Sequence, residues 1–179
     1  SGTVWQKAWV NNFTHFHGSW VSPGWTYRLV QDEGAGLAFR GEWSWSDYTV
    51  SVRVLPHLAE RIGLMACGRG LRRYIALVLD SDHRVRLIAQ YDDARTTLAE
   101  FDATWGWEVP KHLRLSIGGG NITAAVDDEV RHIVADDLPQ RGAIGLLVEA
   151  GHAEFSEVQL RPNTLAKVPP DRTDFPKVE

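Results

Sequence analysis

The run Asp47-Tyr48-Thr-Val-Ser-Val-Arg-Val-Leu55 constrains this chain more than any other stretch. Val50, Val52 and Val54 fall on one side of it, and Thr49, Ser51 and Arg53 on the other. A helix turns every 3.6 residues and would scatter those valines around its axis, whereas a pleated strand with one dry and one wet face needs this period-two pattern. The same alternation recurs in Arg84-Val-Arg-Leu87 and in Leu113-Arg-Leu-Ser-Ile117. Tyr74-Ile-Ala-Leu-Val-Leu79 is apolar on both faces and reads as a central strand covered from each side.

Strands are predicted at residues 27–30, 37–41, 48–55, 61–67, 73–79, 84–91, 96–101, 112–117, 121–126, 130–134, 143–149 and 153–160. Turn formers separate nearly all of them: Gly34-Ala-Gly36, Gly68-Arg-Gly70, Asp80-Ser-Asp82, Asp92-Asp93, Gly118-Gly-Gly120, Asp127-Asp128 and Gly151. Turn signals about ten residues apart are the mark of sandwiches and jelly rolls. Only short stretches near Ala94 and near Leu138 leave room for a helical turn. Residues 1–17, aromatic and polar without a clear period, are predicted to be a connector packing on the sandwich. Residues 18–162 are expected to form the domain, and the proline-rich residues 163–179 a tail or linker. Both flanks read as those of a module within a longer chain.

A chain of 179 residues suits one well-buried core. The net charge of -4 and a pI near 6.0 provide no global attraction to phosphate backbones or anionic lipid, so no nucleic-acid partner is expected. No apolar run approaches the roughly 20 residues of a membrane span. The single cysteine, Cys67, cannot form an internal disulfide and, beside Leu64, Met65 and Ala66, reads as an inert buried thiol. Nothing in the sequence selects a compartment. The eight tryptophans exceed what a core of this size requires, so some of them are expected to serve recognition.

The order Trp45-Ser-Asp47-Tyr48-Thr-Val-Ser-Val, Ile62-Gly-Leu-Met, Tyr74-Ile-Ala-Leu-Val-Leu, Leu98-Ala, Trp107 with His112-Leu-Arg-Leu, Ile122-Thr-Ala-Ala-Val-Asp127, and Gly142-Ala-Ile-Gly145-Leu with Ala153-Glu-Phe-Ser-Glu-Val covers most of the chain. It resembles the concanavalin A-like, laminin-G-like jelly-roll domains of the carbohydrate-binding-module type that are appended to bacterial glycohydrolases, among them parents of the ADP-ribosylglycohydrolase type. The resemblance implies an all-β jelly-roll sandwich of two antiparallel sheets and a carbohydrate ligand. It also implies that Trp45 packs in the core, which leaves Trp43 with less structural reason to be there. Two departures stand out. Asp127-Asp128-Glu129 replaces the usual aspartate-glycine turn, and Ser156 follows Phe155 where an aspartate is common, which weakens any calcium site built on that aspartate.

Glycosidases of this fold use a Glu-x-Asp-x-Glu strand, which puts paired carboxylates on one face for acid and nucleophile chemistry. This chain contains no such strand, no Gly-x-Ser-x-Gly elbow and no glycine-rich phosphate loop. His15-Phe-His17 could place two imidazoles on one face, but two ligands do not make a metal site, and a polar connector is the simpler reading. Asp80-Ser-Asp82, Asp92-Asp93, Asp127-Asp128-Glu129 and Asp136-Asp137 supply hard oxygens that could hold a structural calcium, and they are equally ordinary turn residues.

Aromatic side chains are the sharper clue, because a sugar ring stacks its C–H face on indole or phenol while its hydroxyls need fixed polar partners. Trp105 and Trp107 repeat the Trp43 and Trp45 spacing, with Trp107 expected in the core and Trp105 nearer the loop. If the alternating strands share one sheet, Arg53, Arg84 or Arg86, and Arg114 form a common polar face edged by Gln90 and Tyr91. Like charges in such a row repel, so Glu149 and Glu100 are expected opposite it. The candidate ligand contacts are therefore Trp43, Arg53, Tyr91, Trp105, Arg114 and Glu149. Three functions remain open: a non-catalytic, lectin-like carbohydrate-binding accessory module, a sugar hydrolase on the same sandwich, and an interaction domain docking on another domain of its own chain.

Overall fold

A computed structural model describes residues 9–22 and 24–163. The strands are β1 (Val10–Asn11), β2 (His15–Val21), β3 (Gly24–Arg40), β4 (Tyr48–Gly68), β5 (Arg73–Leu79), β6 (Arg84–Tyr91), β7 (Ala94–Thr104), β8 (Lys111–Gly118), β9 (Asn121–Val126), β10 (Glu129–Val134) and β11 (Ala143–Pro162). Every pairing is antiparallel. No helix among the described residues is long and apolar enough to cross a membrane.

Three pairs of predicted strands are each one continuous strand: 27–30 with 37–41 in β3, 48–55 with 61–67 in β4, and 143–149 with 153–160 in β11. Gly34-Ala-Gly36, expected as a turn, lies inside β3. Bulges explain how the strands carry on through turn-like sequence, since an extra residue bends a strand without ending it. The β11 register slips between Glu149 and Gly151, and Ala150 adopts a φ of 46°. Gly151 sits so close to β4 that a Cβ there would lie 2.0 Å from the Leu58 carbonyl oxygen.

Each long strand serves both layers. The first halves of β3 and β4 and the second half of β11 pair with β2 and β8, and β9 and β10 extend that layer. The other halves pair with β1 and β5, and β6 and β7 extend the second layer. Between the layers, Val50, Val52 and Val54 meet Ile62, Leu64, Leu77, Leu87, Leu113 and Leu115, all fully buried. Each such side chain contributes about 1.5–3 kcal/mol of transfer free energy. On its other face β5 buries Ala76 and Val78 beside Met65, Ile88 and Leu147, as a strand apolar on both sides requires.

Residues 9–17, within the expected connector, contain β1 and the first residues of β2, and Trp9, Phe13 and Phe16 pack on the core. Phe16 turns inward between exposed His15 and His17, an alternation too short to stand out in the sequence. The remainder of that connector, and the tail beyond Asn163, lie outside the described residues. Ala94, where a helical turn had room, opens β7.

His57 ties the β4 bend to its neighbours. Its Nδ1 lies 2.9 Å from Glu108 on the β7–β8 connection, and its Nε2 meets Glu154 on β11. Burial disfavours the imidazolium, yet the hydrogen bonds and charges of the two carboxylates together raise its pKa. His152, whose ring centroid is 4.5 Å away, shifts downward through burial and then through the charges of His57 and Arg28. A raised folded-state pKa means that the His57 contribution is full below the ordinary imidazole value and is lost as pH rises through the raised one. His152 acts oppositely, costing stability as pH falls below the ordinary value toward its lowered one. In thermal melts between about pH 6 and 8, His57→Gln is expected to flatten the loss of stability on the alkaline side, the slope assigned to this imidazole. An unchanged slope would locate the titration elsewhere.

Candidate ligand-binding site

At one end of the sandwich the β3–β4 loop, the β4–β5 turn and the β10–β11 connection meet, and the phenol of Tyr48 holds them together. Its hydroxyl donates to the Gly142 carbonyl oxygen at 2.9 Å and accepts from the Cys67 N–H at 2.9 Å. Tyr48 is fully buried, and burial raises its pKa well above the usual value, so it remains a neutral donor. Gly142 in turn donates its N–H to the Trp45 carbonyl oxygen at 2.8 Å. With a φ of 146° it lies flat on the Cys67–Gly68 backbone, where a Cβ would stand 2.4 Å from the Cys67 carbonyl carbon. Any side chain there would force the connection away from the turn.

The loop between β3 and β4 divides its two indoles. Trp45 is buried over Gly41, as the resemblance implied, and Trp43 projects outward with 62% of its surface exposed. Trp43 borders a cavity of about 470 Å³. Tyr74, Gln90 and Tyr91 from β5 and β6 line it, together with Arg69 and Arg73 from the β4–β5 turn and the start of β5. Leu138 and Pro139 close one side, and Cys67, Ile75 and Ala89 also face it. Burial pushes the Cys67 thiol up to about 12, against small opposing effects of Tyr48 and Arg69, so it is not a nucleophile at neutral pH. A second cavity of about 470 Å³, lined by Val10, Phe39, Leu71 and Ala143, shares Trp43 as a wall.

Neighbouring contacts fix the lining. The Arg73 guanidinium sits 4.5 Å over the Tyr91 ring and bonds Asp92 at 3.2 and 3.3 Å. Gln90 donates to the Asp92 carbonyl oxygen at 2.7 Å and accepts from Arg95 Nε at 3.2 Å. Burial raises the Tyr74 pKa, opposed by the positive charge of Arg95. Two rings and an amide are thereby held without a ligand.

Of the residues singled out in the sequence, Trp43 and Tyr91 meet in this cavity, with Gln90 beside Tyr91. Trp105 does not. It is buried to 5% exposure, its indole N–H donates to the Asp80 carbonyl oxygen at 2.8 Å, and His83 stacks on it at 4.6 Å. Trp107, expected in the core, is instead 47% exposed. The two tryptophans exchange the expected places because Trp105 follows directly on the end of β7, whereas Trp107 lies in the turn where Glu108 adopts a φ of 63°.

The expected arginine face is divided between the two layers. Arg53 and Arg114 stand on the outer side of β4 and β8, opposite His112 and Ser51, whereas Arg84 and Arg86 belong to β6 in the other layer. Neither Arg53 nor Arg114 forms an ion pair among the described residues. Glu149 pairs with Arg61 at 2.7 Å, and Glu100 reaches Arg86 at 3.7 Å. Tyr74, Arg69 and Arg73 were missed, since only strand register brings Arg73 opposite Tyr91 and Tyr74 opposite Gln90. Trp20 and Trp25, 60% and 50% exposed and 5.9 Å apart across the β2–β3 hairpin, were missed as well.

Three of the four acidic clusters have structural roles. Asp92-Asp93 and Asp127-Asp128 are the two-residue turns of the β6–β7 and β9–β10 hairpins, and both leading aspartates adopt a φ of 53°. Asp80 bonds Arg61 and Arg86, and Asp82 bonds Arg86. Burial opposes ionisation of Asp80, but the Ser81 N–H and the two guanidinium groups outweigh it and lower its pKa. Arg86 holds the Asp82 carboxyl at about 2. Asp127 bonds Lys111, and Glu129 bonds Arg131. Among the described residues no group of three or more His, Cys, Asp or Glu is placed to hold a metal ion.

No protein-family profile and no curated protein matches the chain. Solved structures do. The carbohydrate-binding module CBM66 from Bacillus subtilis superposes with a TM-score of 0.69 at 17% identity, covering 84% of this chain and 94% of that one. The exoplasmic/lumenal domain of VIP36, in a form bound to Ca2+ and Man3GlcNAc, gives 0.65 at 15% identity over 95% and 92%. A Bacillus subtilis protein of unknown function with a galectin-like fold gives 0.62 at 10% identity over 86% and 88%. At such identities the similarity shows the fold, an all-β jelly-roll sandwich with antiparallel strands.

Tyr48→Phe would orphan the Cys67 N–H and the Gly142 carbonyl, at a cost of about 1–3 kcal/mol. For a chain of this size that lowers the thermal midpoint by roughly 2–4 °C per kcal/mol, readable by calorimetry. Chelation with EDTA is expected to leave the midpoint unchanged; a fall of several degrees would reveal a bound calcium.

Proposed function

We propose that this domain is a non-catalytic, lectin-like carbohydrate-binding module whose ligand occupies the cavity beside Trp43. The observation that carries the reading is the meeting of one exposed indole and two phenol rings, Trp43, Tyr74 and Tyr91, with arginine and amide groups around one cavity. Indole and phenol faces accept the C–H face of a pyranose or furanose, and the fixed polar groups select its orientation. Solved neighbours named as a carbohydrate-binding module and as a lumenal domain holding Man3GlcNAc support the same class of ligand.

Hydrolysis is the weaker reading. No aspartate or glutamate is among the described residues lining either cavity, so neither offers the acid and nucleophile of paired-carboxylate chemistry. The module would act by holding a glycan near a catalytic neighbour, in the accessory role that the proline-rich flank suggests.

Titration with a panel of neutral and acidic oligosaccharides, followed by tryptophan fluorescence, tests the reading. Trp43→Ala is expected to weaken binding by about 1–3 kcal/mol. Trp107→Ala, which removes an exposed indole that lines neither cavity, should leave affinity unchanged. A flat titration with every member of the panel would overturn the proposal.

A further inference from the structure

The polar groups of the cavity are arranged unequally. A site for a neutral sugar needs acceptors as well as donors, because each hydroxyl can do both. Here no carboxylate lines the cavity, and one of its few acceptors, Gln90 Oε1, already takes the Arg95 N–H. The cationic side remains open. Four arginines surround this end of the second layer, Arg69, Arg72, Arg73 and Arg95, and two of them keep carboxylate partners, Arg72 with Asp93 and Arg73 with Asp92. Arg95 is turned to Gln90. Arg69 is exposed, lines the cavity, and makes no side-chain hydrogen bond or ion pair among the described residues.

Backbone bonds nevertheless fix its position. The Arg69 N–H donates to the Arg73 carbonyl oxygen at 2.9 Å, and the Arg73 N–H returns to the Gly70 carbonyl oxygen at 3.3 Å, closing the turn. Its charge is felt at the cavity floor, where it favours the Cys67 thiolate against the larger effect of burial. A guanidinium anchored at the backbone, without a protein acceptor, beside stacking rings, is a half-made ion pair.

We propose that the saccharide taken by this cavity is acidic, and that Arg69 binds its anionic group, a carboxylate or a sulfate. The inference rests on the carbohydrate-binding reading and adds the ligand class to it. Both groups are pure acceptors, matching the donors left open, and both accept the paired N–H bonds of a guanidinium. The sugar ring lies against Trp43 and Tyr91, and its charged substituent reaches the β4–β5 turn.

Uronate-bearing, sulfated and neutral oligosaccharides of matched backbone distinguish the cases in calorimetric titration. The acidic members should bind at least about tenfold more tightly than the neutral ones, with Arg69→Gln removing that margin and Arg69→Lys keeping part of it. Raising sodium chloride from about 50 to 500 mM should weaken the acidic ligands and leave the neutral ones nearly unmoved. Preference between the uronate and sulfate arms identifies which anion the turn accepts. Arg53→Gln removes an equal charge from a different face and is expected to change nothing. Equal binding of neutral and acidic members, or an Arg69→Gln variant of unchanged affinity, overturns the acidic-ligand inference while leaving the carbohydrate-binding module intact. Binding of no saccharide at all removes both.

Discussion

The hydroxyl of Tyr48 makes the bonds on which the Trp43 end of this sandwich depends. It stands at the start of the long strand β4 and reaches across the core to the same strand's far end at Cys67 and to Gly142 at the entry of β11. A buried donor and a buried acceptor are satisfied by one oxygen, so losing it costs more than an average hydrogen bond. What the bond fixes is the relative placing of three loops that contribute Trp43, Arg69 and Leu138 to one cavity. Trp45 and Ala135 pack two of these loops on the core, and the Tyr48 bonds join both to the β4–β5 turn.

Much of the fold was legible because alternation is a local property. The valines of β4, the double-faced β5 and the hairpin turns are each written within ten residues, and each stands where its pattern puts it. Strand continuity was not legible. Gly34-Ala-Gly36 and Gly151 look like turns in sequence, and only the neighbouring strand decides whether a glycine ends a strand or lets it bend. The site suffered more, since register is non-local. Arg53, Arg84, Arg86 and Arg114 share a local grammar but stand in different layers, whereas Trp43 and Tyr91, nearly fifty residues apart, share a cavity. Trp105 and Trp107 show the same limit, because spacing pairs them and the turn after β7 separates their fates.

Charge is distributed along the second layer with a clear division of labour. At one end, Arg61, Asp80, Arg86 and Asp82 neutralise one another, with Trp105 bracing the turn that carries the aspartates. A network of that kind orders a surface and attracts little. At the other end, the arginines outnumber their carboxylate partners, and the aromatic rings stand among them. The chain is acidic overall, so this local excess is a feature of placement and not of composition.

The three strands that run through both layers have a dynamic consequence. Sheets joined only by loops can slide or part, and a site between them can open by shear. Here the polypeptide itself crosses from one layer to the other in β3, β4 and β11, and the close approach at Gly151 pins two of those crossings together. The layers are joined by continuous backbone. A ligand of the proposed kind would therefore meet a shape that exists before it arrives, and little of the binding free energy would go into rearranging the protein.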